Sequence, residues 1–271
     1  MDHALALLDE HGEDAEILAG GQSLIAMLNL RLLAPEALID INAIKELQGI
    51  SLEDEFVRIG ALTRHVEVER SEIVSQHLPL LTMAMREVAH VAIRNRGTLG
   101  GSISLADPAA EMPACAVALN AEIELQGPNG SRRVTADDFF HGLFETERRA
   151  DEILTAVHYP LPAPESRSAF TELARRHGDY ALVGVAVHGP ISGETFGPLR
   201  IVYFGAGDQP ILATFAAQEL EGQSLTDEAL GRAQDSLSNQ LDPSSDLHGS
   251  AKFKLHLARV ILGRALKQLT D

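Results

Sequence analysis

Apolar residues recur along the chain at two spacings, and their alternation sets out a mixed fold. Residues 3–10 (HALALLDE) have helical spacing, and Glu16-Ile17-Leu18-Ala19 reads as a short strand running into a glycine pair. Residues 23–33 (SLIAMLNLRLL) place apolar side chains at 24, 25, 28 and 32, near helical spacing, with Ser23 as a natural N-cap and Pro35 as a stop. Two strands are expected next, at 37–41 (ALIDI) and 56–62 (FVRIGAL), the second alternating at 57, 59 and 61. A long helical region follows over roughly 64–93, broken near Pro79. Pro108 and Pro113 bracket the start of the apolar run 114–119 (ACAVAL), and 121–125 (AEIEL) alternates as a strand.

Pro160, Pro162 and Pro164 lie too close together for a helix or a central strand, so they mark a linker. Beyond it come strand-like runs at 181–188 and 199–204, then helices at about 210–220 and 249–270. The boundary is expected near 162–168, giving domains 1–163 and 164–271 of an α+β protein.

Charge narrows the function. The net charge of −17 argues against a duplex-binding surface, which needs clustered cations to displace counterions. No run of about 18 uncharged apolar residues suggests a membrane span, and the start carries no export signal, so a cytoplasmic setting is expected. Cys115 is the single cysteine, too few for a disulfide or for the four thiolates of an ordinary iron–sulfur cluster. None of the eleven histidines forms His-Glu-x-x-His; His3, His11, His65, His77 and His256 read as surface residues on helices or their ends. Redox chemistry would therefore need an organic cofactor or a partner's metal.

Two glycine turns carry the candidate chemistry. In Ala19-Gly20-Gly21-Gln22-Ser23 a strand meets a helix through glycines, which permit positive φ and let a ligand approach the backbone. Freed amides and a helix N-terminus would favour an anion there, phosphate above all. Thr98-Leu99-Gly100-Gly101-Ser102 repeats the arrangement, with Asp107 shortly after. Neither is a P-loop, since no Gly-Lys-Ser/Thr follows. Gly205-Ala206-Gly207 lacks the third glycine of a dinucleotide fingerprint and reads as a structural turn.

These turns sit in an ordered set of motifs. Leu18-Ala-Gly-Gly-Gln-Ser-Leu-Ile25, Pro35-Glu-Ala-Leu-Ile-Asp-Ile41 and Ile59-Gly-Ala-Leu-Thr63 come first. Ile93-Arg-Asn-Arg-Gly-Thr-Leu-Gly-Gly-Ser102, Ala106-Asp-Pro108, Gly178-Asp-Tyr-Ala181 and Gly207-Asp-Gln-Pro210 follow. Together they closely resemble the FAD-binding medium subunit of molybdenum hydroxylases, the carbon monoxide, xanthine and aldehyde dehydrogenase relatives. The resemblance covers nearly the whole chain. It implies a two-subdomain FAD-binding domain of the vanillyl-alcohol-oxidase (PCMH) type, followed by a smaller α+β domain. It further implies that Leu18, Ala19, Gly20, Gly21, Gln22, Ser23, Leu24 and Ile25, with Thr98, Gly100, Gly101 and Ser102, clamp the FAD pyrophosphate. Asp107 and Glu111 match the family's acidic contacts, Ile153 and Leu154 its apolar residues at the isoalloxazine, and Tyr180 its aromatic near the flavin. From the residues alone, Ile153 and Leu154 read as strand core and Tyr180 as a half-buried strand residue.

The chain departs from the pattern in places. The family is expected to begin with a further segment ending in an extended strand before the helix at His3, which bears on the adenine end of the site and on part of the sheet. Glu111 stands where an aspartate is common. Near Glu172 relatives often carry a lysine able to stabilise anionic reduced flavin; here Arg175 or Arg176 would have to substitute. Arg94 and Arg96 either anchor their loop or meet a partner.

The resemblance implies an electron-transfer flavoprotein subunit that needs no side-chain acid, base or nucleophile. A large subunit with a molybdenum cofactor and a small subunit with two [2Fe–2S] clusters would be its partners, as a dimer of heterotrimers. The alternatives are a scaffold subunit that has lost FAD and a free-standing flavin reductase of the same superfold. A reductase needs substrate-binding cations and a proton donor, and the positions after Tyr180 are apolar.

Overall fold

The structure, a computed structural model, describes residues 1–270. Ala15–Leu18 and Ala37–Asp40 form a parallel pair, with Leu18 opposite Asp40. The helix Asp2–His11 covers this pair, and Leu8 joins Ile39, Ile41, Leu62 and Ile153 in a small core. A second sheet of five antiparallel strands runs in the order Ile50–Leu52, Phe56–Gly60, Ile153–Pro160, Glu122–Gly127 and Gly130–Thr135. Val57, Ile59, Ile123 and Val157 alternate onto its inner face, as period-2 burial requires.

Pro160 is not in the linker as expected but ends the central strand Ile153–Pro160, opposite Phe56; beyond residues 161–165 lies a third sheet, ordered Ser166–Ala174, Ala181–Ser192, Arg200–Phe204 and Ile211–Leu212. One face, through Val183, Val185, Val187, Ile201 and Tyr203, packs on the long helix Ala251–Thr270 and its neighbours. The other face, through Phe170, Ala186, Val202 and Phe204, joins the main core. The helix Glu111–Ala118 sits between the sheets with every residue buried, which explains its unbroken apolar run. The two halves of the chain therefore share one large core.

Several expectations need correction. The helix after the first glycine turn is only Leu24–Asn29, and none of its residues is buried. Apolar spacing suggested 23–33, but no core lies on that side to hold the stripe, and Leu30 and Leu32 stay exposed. Ser23 stands at the N-cap without making a cap bond. The 64–93 region is four short helices, His65–Arg70, Glu72–His77, Pro79–Met85 and Val91–Arg94; besides Pro79, Ser71 breaks it by capping Val74. The strand Ser166–Ala174 and the helix Asp227–Ser236 are not among the expected elements; the helix buries only the small side chains of Ala229 and Ala233, so few large apolar residues mark it. His65 is buried, not a surface residue, because the turn at Gly97 closes over it. Arg94 anchors its loop, bonding Glu69 and the carbonyls of Val88 and Ala89. Gly205 makes a structural turn with positive φ, its amide bonded to Pro108 O at 2.7 Å.

Gly184 is the tightest point of the third sheet. It stands opposite Phe204, and a Cβ there would lie 2.0 Å from the Phe204 ring. Phe204 stacks on Phe170 at 5.5 Å between ring centroids, so it has little room to retreat. Gly184→Ala is expected to cost about 1–3 kcal/mol by overpacking. Thermal denaturation checks this, and an unchanged melting temperature would show that Phe204 is not held there.

Candidate cofactor site

One cavity of about 550 Å³ brings the candidate residues together. Ala19 through Leu24, Thr98, Gly100, Gly101, Ser102, Asp107, Glu111, Ile153, Leu154 and Tyr180 all line it; Leu18 and Ile25 do not. Leu18 ends the strand that delivers the first turn, and Ile25 lies on the outer side of the short helix, 40 % exposed. Residues that sequence reading did not single out also face the cavity, notably Leu8, Met27, His65 and Arg148. Leu8 lay in a helix predicted from its spacing alone, with no site role assigned, and no motif flags Arg148.

The two turns touch backbone to backbone. A Cβ on Gly20 would lie 2.4 Å from Arg96 O and 2.9 Å from Gly97 Cα, so only glycine permits this approach. The four glycines have different duties. Gly100 packs on Ala61, where a Cβ would fall at 2.5 Å, and Gly21 adopts φ +70°. At Gly101 the only neighbour of an added Cβ is the Thr98 side chain, with Oγ1 at 2.7 Å, so this glycine is spared for the cavity rather than for packing.

The turns also differ in what they offer an anion. The amides of Gly20, Gly21, Gln22 and Ser23 find no acceptor among the described residues, and the Gln22 side chain bonds back to Gly20 O at 3.0 Å. Four free donors in one turn are what an anion-binding concavity requires. In the second turn, Leu99 N donates to Thr63 O, Gly100 N to Ala61 O and Gly101 N to Thr98 Oγ1. That turn contributes close approach and the Ser102 hydroxyl, not a row of amides. Both following helices are short, Leu24–Asn29 and Leu99–Leu105, so the free amides matter more than any helix dipole.

Charge around the cavity is mostly negative. Arg148 is the one Lys or Arg side chain among the described lining residues, against Glu13, Glu16, Asp107, Glu111 and Asp179. It is held by bonds to the carbonyls of Arg149 and Glu152. His65 lies beneath the second turn, its ring nitrogens without partners, and burial lowers its pKa to about 4, leaving it neutral near pH 7. Ile153 and Leu154 are both buried; Ile153 joins the small core with Leu8 and Leu62, and Leu154 the main one. Tyr180, 69 % exposed, stands at the rim just before the strand Ala181–Ser192, not half-buried within it.

The floor beside Glu111 is acidic. Burial, with Asp107 and Glu87 nearby, raises Glu111 to about 7. Burial, with Glu111 and Glu87 nearby, raises Glu172 to about 8, and its Oε2 has no partner. Both carboxyls thus bind protons more tightly folded than unfolded, where 4.5 is ordinary. Unfolding releases those protons, so this contribution to stability is complete below the ordinary carboxylate range and is lost as pH rises through about 7 and 8. Glu172→Gln should flatten the pH dependence and raise the apoprotein's melting temperature at pH 9 by several degrees. Melting curves at pH 6 and 9 that match wild type would refute this.

Comparison with known proteins agrees with this geometry. A family model for the FAD-binding domain in molybdopterin dehydrogenase matches residues 1–162, and one for the CO dehydrogenase flavoprotein C-terminal domain matches 168–269. The glyceraldehyde dehydrogenase medium chain of Sulfolobus acidocaldarius is 36 % identical, with 99 % of this chain and 95 % of that protein covered. The carbon monoxide dehydrogenase medium chain of Hydrogenophaga pseudoflava is 39 % identical, covering 98 % and 93 %. In a solved structure of carbon monoxide dehydrogenase from Hydrogenophaga pseudoflava, one chain superposes with a TM-score of 0.95 at 40 % identity, covering 98 % and 92 %. With backbone, cavity and sequence in agreement over both halves, the chain belongs to the FAD-binding medium subunits of the carbon monoxide and xanthine dehydrogenase type of molybdenum hydroxylases, and is an oxidoreductase subunit.

Proposed function

We propose that this chain is the electron-transfer flavoprotein of a molybdenum hydroxylase complex, holding FAD with its diphosphate between the two glycine turns. The observation that carries the placement is the row of unbonded amides from Gly20 to Ser23, in contact with the second turn and opening on the same cavity as Gly101. Charge-assisted hydrogen bonds of about 1.5–3 kcal/mol each let such donors hold a diphosphate without lysine. Ser23 and Ser102, neither hydroxyl bonded within the described residues, add donors. Of the residues that line the cavity, Glu111, Leu154 and Tyr180 would face the flavin end and Leu8, Met27 and Arg148 the adenosine end. Residues 1–163 supply the cradle, and 164–271 close it through Gly178–Tyr180.

When bound, FAD supplies the one- and two-electron chemistry that no side chain here provides. The chain's residues bind it and orient it, and burial leaves Glu111 beneath it less charged at neutral pH than an ordinary carboxylate. Electrons would come from two [2Fe–2S] clusters on a small subunit, fed by a large molybdenum-bearing subunit, and leave to an external acceptor. Cys115, buried and alone, cannot ligate a cluster, so the clusters must belong to a partner. Relatives named as medium chains support that assembly.

Purified protein is expected to show flavin absorbance after reconstitution with FAD and to co-purify with molybdenum and iron–sulfur subunits. Absence of flavin bands would sink the cofactor reading; a flavin-loaded protein without partners would sink only the complex. Gly101→Val should abolish FAD retention while the apoprotein melts within a few degrees of wild type. Gly100→Ala, which meets Ala61, should lower the apoprotein's melting temperature markedly. Stoichiometric FAD in the Gly101 variant would show that the diphosphate lies elsewhere.

A further inference from the structure

The two turns are far apart in sequence, yet their spacing must be fixed to fit one diphosphate. Besides their main-chain contact, a strut of side-chain bonds outside the cavity joins them. Asn42 follows the strand Ala37–Asp40, whose parallel ladder brings it beside the exit of its partner strand, where Ile41 N donates to Leu18 O at 3.2 Å. Asn42 Nδ2 donates to Ala19 O at 2.8 Å and, more weakly, to Leu18 O at 3.3 Å, the two carbonyls that lead into the first turn. Asp40 Oδ1 accepts from both Asn42 N and Nδ2, at 2.9 and 2.7 Å, fixing the amide's orientation.

The other face of the same amide points to the second turn. Asn42 Oδ1 accepts from Arg64 Nη2 at 2.7 Å, and Arg64 Nη1 donates to Arg96 O. Arg96 O is the carbonyl on which Gly20 rests. Arg64 is itself anchored: its backbone pairs with Thr98, and its amide donates to Glu67 Oε2 at 2.7 Å. His65 N donates to Gly97 O at 3.0 Å. No carboxylate lies within ion-pair distance of the Arg64 guanidinium among the described residues, so its fork is committed to the two turns. Neither Asn42 nor Arg64 lines the cavity.

We infer that Arg64 and Asn42 are positioning residues that bolt the two glycine turns into a single diphosphate cradle without touching the cofactor. The inference rests on the cradle placement proposed above. The bonds run in series, from Ala19 O through Asn42 and Arg64 to Arg96 O, so breaking either link removes this side-chain tie between the turns. Both side chains are only half-buried, and the freed carbonyls can turn to water, so folding itself loses little. The guanidinium matters as a rigid fork with two donors on different nitrogens, and a lysine cannot span the same two acceptors.

The test is FAD titration of the apoprotein by flavin fluorescence, with apoprotein melting temperatures, for wild type, Arg64→Ala, Arg64→Lys, Asn42→Ala and the Arg64→Ala/Asn42→Ala double variant. Each single variant is expected to weaken FAD binding about tenfold, equivalent to about 1.4 kcal/mol. The double variant should be no worse than threefold beyond either single one, because links in series are not additive. Arg64→Lys should not rescue, and melting temperatures should stay near wild type. Wild-type affinity in Arg64→Ala or Arg64→Lys overturns the inference, as do additive losses or losses that track the melting temperature. If Arg64→Ala does not fold, Asn42→Ala and Arg64→Lys decide by the same criteria. Wild type taking up no FAD would remove the cradle reading and this inference with it; FAD-binding wild type with unaffected variants removes only the strut.

Discussion

The site depends on a contact between two stretches of main chain. Gly20 lies against Arg96 O and Gly97 Cα with no side chain between them, and the cavity opens where these turns part. A methyl at Gly20 would push the second turn away, and with it Thr98, Gly101 and the start of Leu99–Leu105. The surrounding elements serve that approach. The parallel pair Ala15–Leu18 and Ala37–Asp40 delivers the first turn, and the bonds of Leu99 N and Gly100 N to Thr63 O and Ala61 O tie the second to the segment that follows the strand Phe56–Gly60.

The diphosphate site proposed above lies in a strongly acidic chain. At −17 overall, and with Arg148 the one Lys or Arg side chain lining the described cavity, the protein does not rely on cationic side chains. It relies on unpaired amides, whose dipoles are fixed by the fold and need no counter-ion partner. Burial raises Glu111 to about 7 and its neighbour Glu172, which lies outside the cavity lining, to about 8, so both carry less charge at neutral pH than ordinary surface carboxylates and repel an anion less. The third sheet supplies Glu172, so the C-terminal half shapes the electrostatics of a cavity built mainly by the N-terminal half.

Both glycine turns, most flanking strands and the long C-terminal helix were legible in the sequence, because hydrophobic period and glycine placement are local properties. The motif order made the family legible too. The helix at 23–33 was overestimated because periodicity reports an apolar stripe and not whether a core exists to receive it; Leu30 and Leu32 show that here none does. His65 was misread for the converse reason, a polar residue buried by a turn more than thirty positions away.

The sequence by itself determined where the two Gly-Gly turns stand, which strands lead into them, and, through the order of the motifs, the family. Only the tertiary structure decided the division of labour among those residues. Gly20 and Gly100 are glycines for packing, Gly21 for its positive φ and Gly101 for the cavity, a distinction set by neighbours distant in sequence. The free amides belong to the first turn alone because Thr63, Ala61 and Thr98 consume those of the second. Asn42 and Arg64 carry no motif at all. Their role exists only because strand pairing places one amide and one guanidinium between two turns that the chain itself keeps far apart.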